Sequence, residues 1–251
     1  MDKTDAVVVI PARFAASRLP GKPLREIAGV PMIRRTALQA LKSGLPVWVA
    51  YDDTRIAAAL DGVDVSLAAT REDHDNGSER LSEVVTNEAW DDEQIVVNVQ
   101  GDEPLLPPAL IARVAETLAA APWAGVATLA APFDAAHSPA AATAVKVVCD
   151  RQGRALYFSR SAIPYVRDAD GVSGDFPYLR HIGIYAYRVS VLKRYPSLCK
   201  TPLEQAEKLE QLRFIEHGID VAVGVVDEVP PPGVDCEEDI QRVEAVLASA
   251  R

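Results

Sequence analysis

Arg13, Arg18 and Lys22 place three cations on one short loop that follows the run Val7-Val8-Val9-Ile10. Pro11, Pro20, Gly21 and Pro23 punctuate that segment, and the next helical pattern starts only near Met32. The β-branched run predicts a fully buried strand. Its loop then lies at the carboxyl end of a parallel sheet, where open α/β sheets bind their ligands. Two guanidinium forks and an ammonium suit a polyanion such as a triphosphate, whose charge needs several donors at defined positions. The segment fits neither GxGxxG nor GxxxxGK[ST], so the dinucleotide and P-loop phosphate cradles do not apply. A solvated basic loop is the alternative left open by residue types alone.

Two carboxylates have a matching context. Asp102 ends the apolar run Ile95-Val96-Val97-Asn98-Val99-Gln100-Gly101-Asp102-Glu103-Pro104, directly after a glycine that permits close backbone approach. A carboxylate facing a triphosphate calls for a bridging cation, and Mg²⁺ takes one or two carboxylates with phosphate oxygens and water. The alternative is that Asp102 caps the turn before a helix near residue 107. Asp235, in Val229-Pro230-Pro231-Pro232-Gly233-Val234-Asp235-Cys236-Glu237-Glu238-Asp239, precedes the last predicted helix. There it can act as an N-cap, with Glu238 completing a capping box. In Thr70-Arg71-Glu72-Asp73-His74-Asp75-Asn76-Gly77-Ser78-Glu79-Arg80, Asn76 or Ser78 can cap a helix, and His74 can be a surface or capping residue.

The elements that must position these groups alternate. Strand-like runs lie near 6–10, 46–50, 63–68, 95–99 and 124–130, with helical patterns near 31–43, 53–61, 77–88 and 107–121. Repeated βα units predict an α/β fold with a mostly parallel, doubly wound, Rossmann-like sheet covered on both faces. After about residue 131 the rhythm changes. Val145–Cys149 and Ile182–Tyr187 read as strands around a Tyr/Arg/Pro/Gly-rich stretch. A Glu/Leu-rich helix over 202–217, a strand at 219–225 and a helix from about 236 complete the chain. The reading is a single domain over 1–251 with a smaller lobe inserted at about 131–190. The Ala-rich stretch from Ala135 to Ala144 is expected as helix or loop.

Bulk properties narrow the class. The chain has 251 residues and a formal net charge of −10, and it contains no basic run. Such a surface repels nucleic acid and anionic membrane. No apolar stretch reaches bilayer-spanning length, and Met1-Asp2-Lys3-Thr4-Asp5 leads straight into the first strand. The expectation is a cytoplasmic protein with no signal peptide, no membrane partner and no nucleic-acid partner. Cys149, Cys199 and Cys236 are too widely spaced for a thiolate metal site, and their odd number argues against a disulfide framework.

The motifs resemble, in order, those of the 3-deoxy-manno-octulosonate (Kdo) cytidylyltransferases, the CMP-Kdo synthetases. Val-Ile-Pro-Ala-Arg-Phe-Ala-Ala-Ser-Arg-Leu-Pro-Gly-Lys-Pro-Leu is similar to that family's opening motif, whose loop wraps the phosphates of CTP. Val-Asn-Val-Gln-Gly-Asp-Glu-Pro resembles the segment carrying a magnesium ligand, here Asp102, and Gly-Val-Asp-Cys resembles the Gly-Val-Asp-Thr segment carrying the other, here Asp235. Cys236 replaces the threonine, which puts a local hydroxyl contact in question and leaves the carboxylate. The 70–80 segment resembles the one lining the cytosine pocket, with Asn76 where serine is usual and Ser78 where threonine is usual. The resemblance covers roughly residues 6–245.

What the resemblance implies is nucleotidyl transfer for lipopolysaccharide biosynthesis: the C2 hydroxyl of Kdo attacks the α-phosphorus of CTP and expels pyrophosphate. Ala12, Arg13, Lys22, Thr70, Ser78, Arg80 and Gln100 would bind nucleotide. Arg13, Arg18 and Lys22 would steady the polyphosphate, with Mg²⁺ on Asp102 and Asp235. Arg160 (for the sugar carboxylate), His181, Tyr185, Glu210 and Gln211 would hold the sugar acid, Glu210 and Gln211 being plain helix-surface residues on the alternative reading. No side chain stands out as a general base. The family likeness also implies a homodimer formed largely through the inserted lobe. Two rivals stay open: a related sugar acid, such as 8-amino-Kdo or a sialic acid, and a catalytically dead nucleotide-binding regulator on the same fold.

Overall fold

The β-branched run at the start of the chain is β1 (Ala6–Ala12), and the other elements are placed around it. The computed structural model describes residues 5–15, 19–134, 137–227 and 229–249, so Arg18 lies outside the described residues. A short hairpin of β2 (Glu26–Ile27) and β3 (Val30–Pro31) leads to α1 (Met32–Leu41), β4 (Val47–Tyr51) and α2 (Thr54–Ala59). Then come β5 (Ser66–Ala69), α3 (Gly77–Asn87), β6 (Ile95–Asn98), α4 (Pro108–Ala119) and β7 (Val126–Pro132). The remainder comprises β8 (Lys146–Cys149), β9 (Ala155–Ser159), β10 (Leu179–Arg188), α5 (Val189–Arg194), α6 (Pro202–Glu207), α7 (Gln211–Glu216), β11 (Val221–Val225) and α8 (Glu237–Ser249).

The main sheet runs β11-β7-β10-β6-β1-β4-β5, with β8 and β9 attached through β10. β1 pairs in parallel with β4 on one side and β6 on the other. The order therefore reverses between β1 and β6, and their carboxyl ends open a crevice at the switch point. Alternation along β1 supplies both faces. Val8 and Ile10 pack with α1 and α4 residues such as Ile33, Ala37, Ile111 and Leu118. Val7 and Val9 pack with Leu81 and Val85 of α3, Leu192 of α5 and Leu212 of α7. Each such aliphatic side chain contributes about 1.5–3 kcal/mol on full burial, so the floor of the crevice is rigid. A third cluster, including Ile27, Met32, Val234 and Ile240, seats α8 against the hairpin.

The α/β, mostly parallel sheet is as expected, with one qualification. β10 runs antiparallel between β6 and β7. The section after residue 131 thus contributes a central strand of the same sheet, and its Val147 and Phe158 share a cluster with Val7 and Val9. β9 is absent from the expected strands, and its burial does not alternate cleanly, with Leu156 exposed and both Phe158 and Ser159 buried. Residues 137–144 are turns and bends, not helix. The single helix expected over 202–217 is two. Lys208 takes a left-handed conformation (φ 54°) and ends α6. The break turns Glu210 into the crevice, while a buried Arg213–Glu204 ion pair (2.5 and 2.8 Å) fastens α7 back onto α6.

Candidate active site

The crevice holds a pocket of about 480 Å³ lined by Ala12, Arg13, Lys22, His74, Asn76, Arg80, Gln100, Asp102, Glu210 and Asp235, among others. Backbones approach closely at its floor: a Cβ on Gly101 would lie 3.0 Å from the Pro11 carbonyl oxygen. Gly21, at φ 65°, turns the chain into the short 3₁₀ segment Lys22–Leu24 and so aims Lys22 inward. Its Nζ donates to Asp102 Oδ2 at 2.5 Å and to Asp235 Oδ1 at 3.2 Å.

Two segments 133 residues apart (235 − 102) are brought together by backbone contact. Val234 N–H donates to the Asp102 carbonyl at 2.8 Å, and a Cβ at Gly233 would stand 3.1 Å from that same oxygen. The helix that follows is capped by Asp239, whose Oδ2 accepts from the Asp235 and Cys236 amides at 2.7 and 3.0 Å. This corrects the expectation that Glu238 closes the capping box. Asp102 is not a helix cap either, because α4 begins after Pro107 without a side-chain cap. Arg25 donates to both oxygens of Glu237 at 2.5 and 2.6 Å, tying the Lys22 turn to the start of α8.

An ammonium shared by two carboxylates shows that Asp102 and Asp235 converge on one cation-sized position. Hard carboxylate oxygens of this kind fit Mg²⁺. Among the described residues no group of three or more His, Cys, Asp or Glu side chains forms a metal site. A magnesium ion held here would complete its shell with phosphate oxygens and water. Burial, with Asp102 beside it, pushes the neighbouring Glu103 carboxyl up to about 8.

On the opposite wall, Arg80 reaches inward from α3. Its Nη2 donates to Asp52 Oδ2 at 3.0 Å, and its Nη1 donates to the Thr70 hydroxyl and to the Arg71 carbonyl at 3.0 Å. Desolvation lowers its pKa, with Asp52 partly offsetting that cost. Thr70 thus braces Arg80, and its own hydroxyl donates to the Tyr51 carbonyl at 3.0 Å. Asn76 is the N-cap of α3, accepting the Glu79 amide at 2.9 Å while its Nδ2 donates to the Tyr195 hydroxyl at 3.1 Å. Ser78 is buried beneath the pocket, where its hydroxyl interacts with Tyr187. His74 is buried too, with Nε2 hydrogen-bonded to Glu83.

The residues assigned to the sugar acid divide. Glu210 lines the pocket, and partial enclosure raises its carboxyl pKa. Tyr185 stacks on Tyr187 with centroids 6.0 Å apart and lies 5.6 Å from the His181 ring. Burial drives the Tyr185 phenol well above its usual range, with the Glu210 charge adding to it. Gln211 is buried in the first turn of α7, and its Nε2 has no hydrogen-bond partner. Arg160 is placed elsewhere: its guanidinium donates to the Glu207, Ala142 and Lys208 carbonyls at 2.8, 3.2 and 3.5 Å. It satisfies the carbonyls left open where α6 ends, and it does not line the pocket.

His181 hydrogen-bonds through Nε2 to the Thr128 hydroxyl at 2.9 Å, and burial pushes its pKa down to about 3. The folded ring is neutral where the unfolded chain, with an ordinary value near 6.5, still binds a proton. Stability therefore rises with pH through the window from about 3 to 6.5, by at most about 1.4 kcal/mol per pH unit. Urea unfolding at pH 5 and pH 7 should show this slope flattened in His181→Gln; an unchanged slope would contradict the assignment.

Sequence reasoning missed Asp52, Tyr187 and Tyr195, which brace the pocket. Asp52 had a usable signal, since it directly follows a strand whose carboxyl end faces the crevice.

With this geometry in place, the comparisons align closely. The family model described as Cytidylyltransferase matches residues 7–221. The 3-deoxy-manno-octulosonate cytidylyltransferase of Dichelobacter nodosus is 61% identical over 243 residues, covering 97% of this chain and 98% of that protein. The protein of the same name from Nitrosococcus oceani is 48% identical over 249 residues, covering 96% of each. A solved structure of CMP:2-keto-3-deoxy-manno-octonic acid synthetase complexed with CTP matches with a TM-score of 0.88 and 42% identity, over 98% of this chain and 99% of that one. A cytidylyltransferase from Leptospira borgpetersenii, 15% identical with a TM-score of 0.62, shares the fold.

Proposed function

The chain belongs to the cytidylyltransferase family, and from that membership we infer that it activates Kdo with CTP, yielding CMP-Kdo and pyrophosphate. The observation that carries the site assignment is the meeting of Lys22, Asp102 and Asp235 at the switch-point crevice, beside Arg13 and Arg80. The solved relative named as complexed with CTP supports the nucleotide, and the names of the relatives support the sugar acid.

In this reading the C2 hydroxyl of Kdo attacks the α-phosphorus in line, the bond from that phosphorus to the bridging oxygen breaks with its electron pair going to pyrophosphate, and the hydroxyl proton passes to water. The protein's work is alignment and charge stabilisation. Arg13 and Lys22 hold the polyphosphate and stabilise charge on the departing pyrophosphate. Arg80, braced by Asp52 and Thr70, supplies a fixed cation on the opposite wall. Asp102 and Asp235 would hold Mg²⁺, which when bound neutralises phosphate charge and polarises the α-phosphate. Of the groups assigned to the sugar acid, Glu210 lines the pocket and offers an acceptor for sugar hydroxyls, while Tyr185 and His181 do not line it. The sugar carboxylate falls to a cation other than Arg160 in this conformation, unless Arg160 leaves its three carbonyls on binding.

We place the enzyme in the cytoplasm, where CTP is available, and its product as the activated sugar consumed in lipopolysaccharide assembly. No helix among the described residues is long and apolar enough to cross a membrane. The homodimer reading is supported by exposed Leu156, Tyr165 and Phe176 in the 131–190 section, and light scattering at twice the chain mass would bear it out.

Pyrophosphate release with CTP, Mg²⁺ and a panel of Kdo, 8-amino-Kdo and N-acetylneuraminate tests the substrate. Release dependent on Kdo is the expected result. Preference for the amino sugar would assign Glu210 as partner of its cation and overturn the sugar assignment. Silence with every acid, despite CTP binding, would identify a regulator.

A further inference from the structure

Asp52 directly follows β4, with its side chain only 5% exposed. It is not among the residues that line the pocket, yet both of its oxygens are committed to the pocket wall. Oδ1 accepts the Phe14 amide at 2.9 Å, and Oδ2 accepts Arg80 Nη2 at 3.0 Å. Phe14 follows Arg13, so this bond fixes the peptide that carries one phosphate-loop cation. The Phe14 ring is itself clamped. The Arg55 guanidinium lies 3.7 Å over its centroid, and a Cβ on Gly21 would stand 3.4 Å from the ring. Gly21 precedes Lys22, so the ring of Phe14 lies alongside the far end of the same loop, with room for glycine's missing side chain between them.

One buried carboxylate thus reaches both cations of the loop that the structure describes: Arg13 through the Phe14 amide, and Lys22 through the Phe14 ring and Gly21. Its negative charge also lies beside Arg80, which has Arg13 as a like-charged neighbour. Arg80 keeps two further acceptors in Thr70 and the Arg71 carbonyl, so α3 stays anchored without Asp52. The Phe14 amide bond and the charge compensation are what Asp52 adds.

We propose that Asp52 is a positioning residue that sets Arg13 and Lys22 for the phosphates of CTP, acting through Phe14 and never touching substrate. The proposal rests on the reading of this crevice as the CTP site. A merely structural role would lower stability and leave the affinity of the surviving folded enzyme for CTP unchanged.

The test is steady-state kinetics of the full chain, with melting temperature recorded, for Asp52→Asn and for Arg55→Ala, whose side chain is 60% exposed. An asparagine oxygen can serve Phe14 or Arg80 but not both. Asp52→Asn is expected to raise the CTP KM by about tenfold or more while the Kdo KM stays within about twofold. Arg55→Ala, which unclamps Phe14, is expected to raise the CTP KM by about threefold. An unchanged CTP KM in Asp52→Asn, with only stability or kcat reduced, would overturn the proposal. If Asp52→Asn does not fold, an unchanged CTP KM in Arg55→Ala overturns it. Wild-type enzyme that releases no pyrophosphate from CTP would instead overturn the underlying function, a separate failure.

Discussion

Asp102→Asn and Asp235→Asn should each cut pyrophosphate release by about 10²–10³-fold at saturating CTP and Kdo. Asparagine keeps the shape of each side chain and an oxygen for the Lys22 ammonium, while removing the charge that a divalent cation needs. Melting temperature should change little, because Asp235 is half exposed and the contact joining the two segments is the bond from Val234 N–H to the Asp102 carbonyl. Raising Mg²⁺ should recover part of the loss in either single variant. Two variants that both turn over at near wild-type rates in Mg²⁺ would remove the metal assignment.

Lys22→Met carries the second large effect, and it has opposite signs in two assays. Turnover should fall by about 10²-fold, the usual cost of deleting one preorganised donor at a site of developing charge. Divalent-cation affinity of the nucleotide-free enzyme should rise, because the ammonium now shared by Asp102 at 2.5 Å and Asp235 at 3.2 Å is gone. Two carboxylates left facing each other repel, and a bound cation relieves that repulsion. Titration with Mn²⁺, followed by electron paramagnetic resonance, reads the affinity directly. Retained turnover, or cation binding no tighter than in the wild type, would contradict the role given to Lys22.

The parts of this site that follow from local rules were legible in the sequence. A β-branched run ending in a Pro/Gly-rich cationic loop, and an apolar run ending in Gly101-Asp102, place functional groups at strand ends whatever the details of packing. Convergence of Lys22, Asp102 and Asp235 needed the likeness of motifs, since residues so far apart in sequence meet only through tertiary contacts. Leu203, Leu209 and Leu212 have helical spacing, but periodicity does not register the left-handed Lys208 that splits the helix. Arg160 is a separate case: its type suits a carboxylate, and in this structure its donors rest on the Glu207, Ala142 and Lys208 carbonyls. Asp52 stood at a legible strand end, but its partners Phe14 and Arg80, like Asn76 for Tyr195, come from distant elements that the sequence does not pair.

The most direct test uses CTP labelled in its α-phosphate, mixed with an equal amount of Kdo, Mg²⁺ and the enzyme, with products separated after a single turnover. The geometry predicts that the label moves to a CMP–sugar conjugate while unlabelled pyrophosphate appears in equal amount. Label recovered in CDP, or left entirely in CTP while the enzyme binds both substrates, would contradict attack at the α-phosphorus in this crevice.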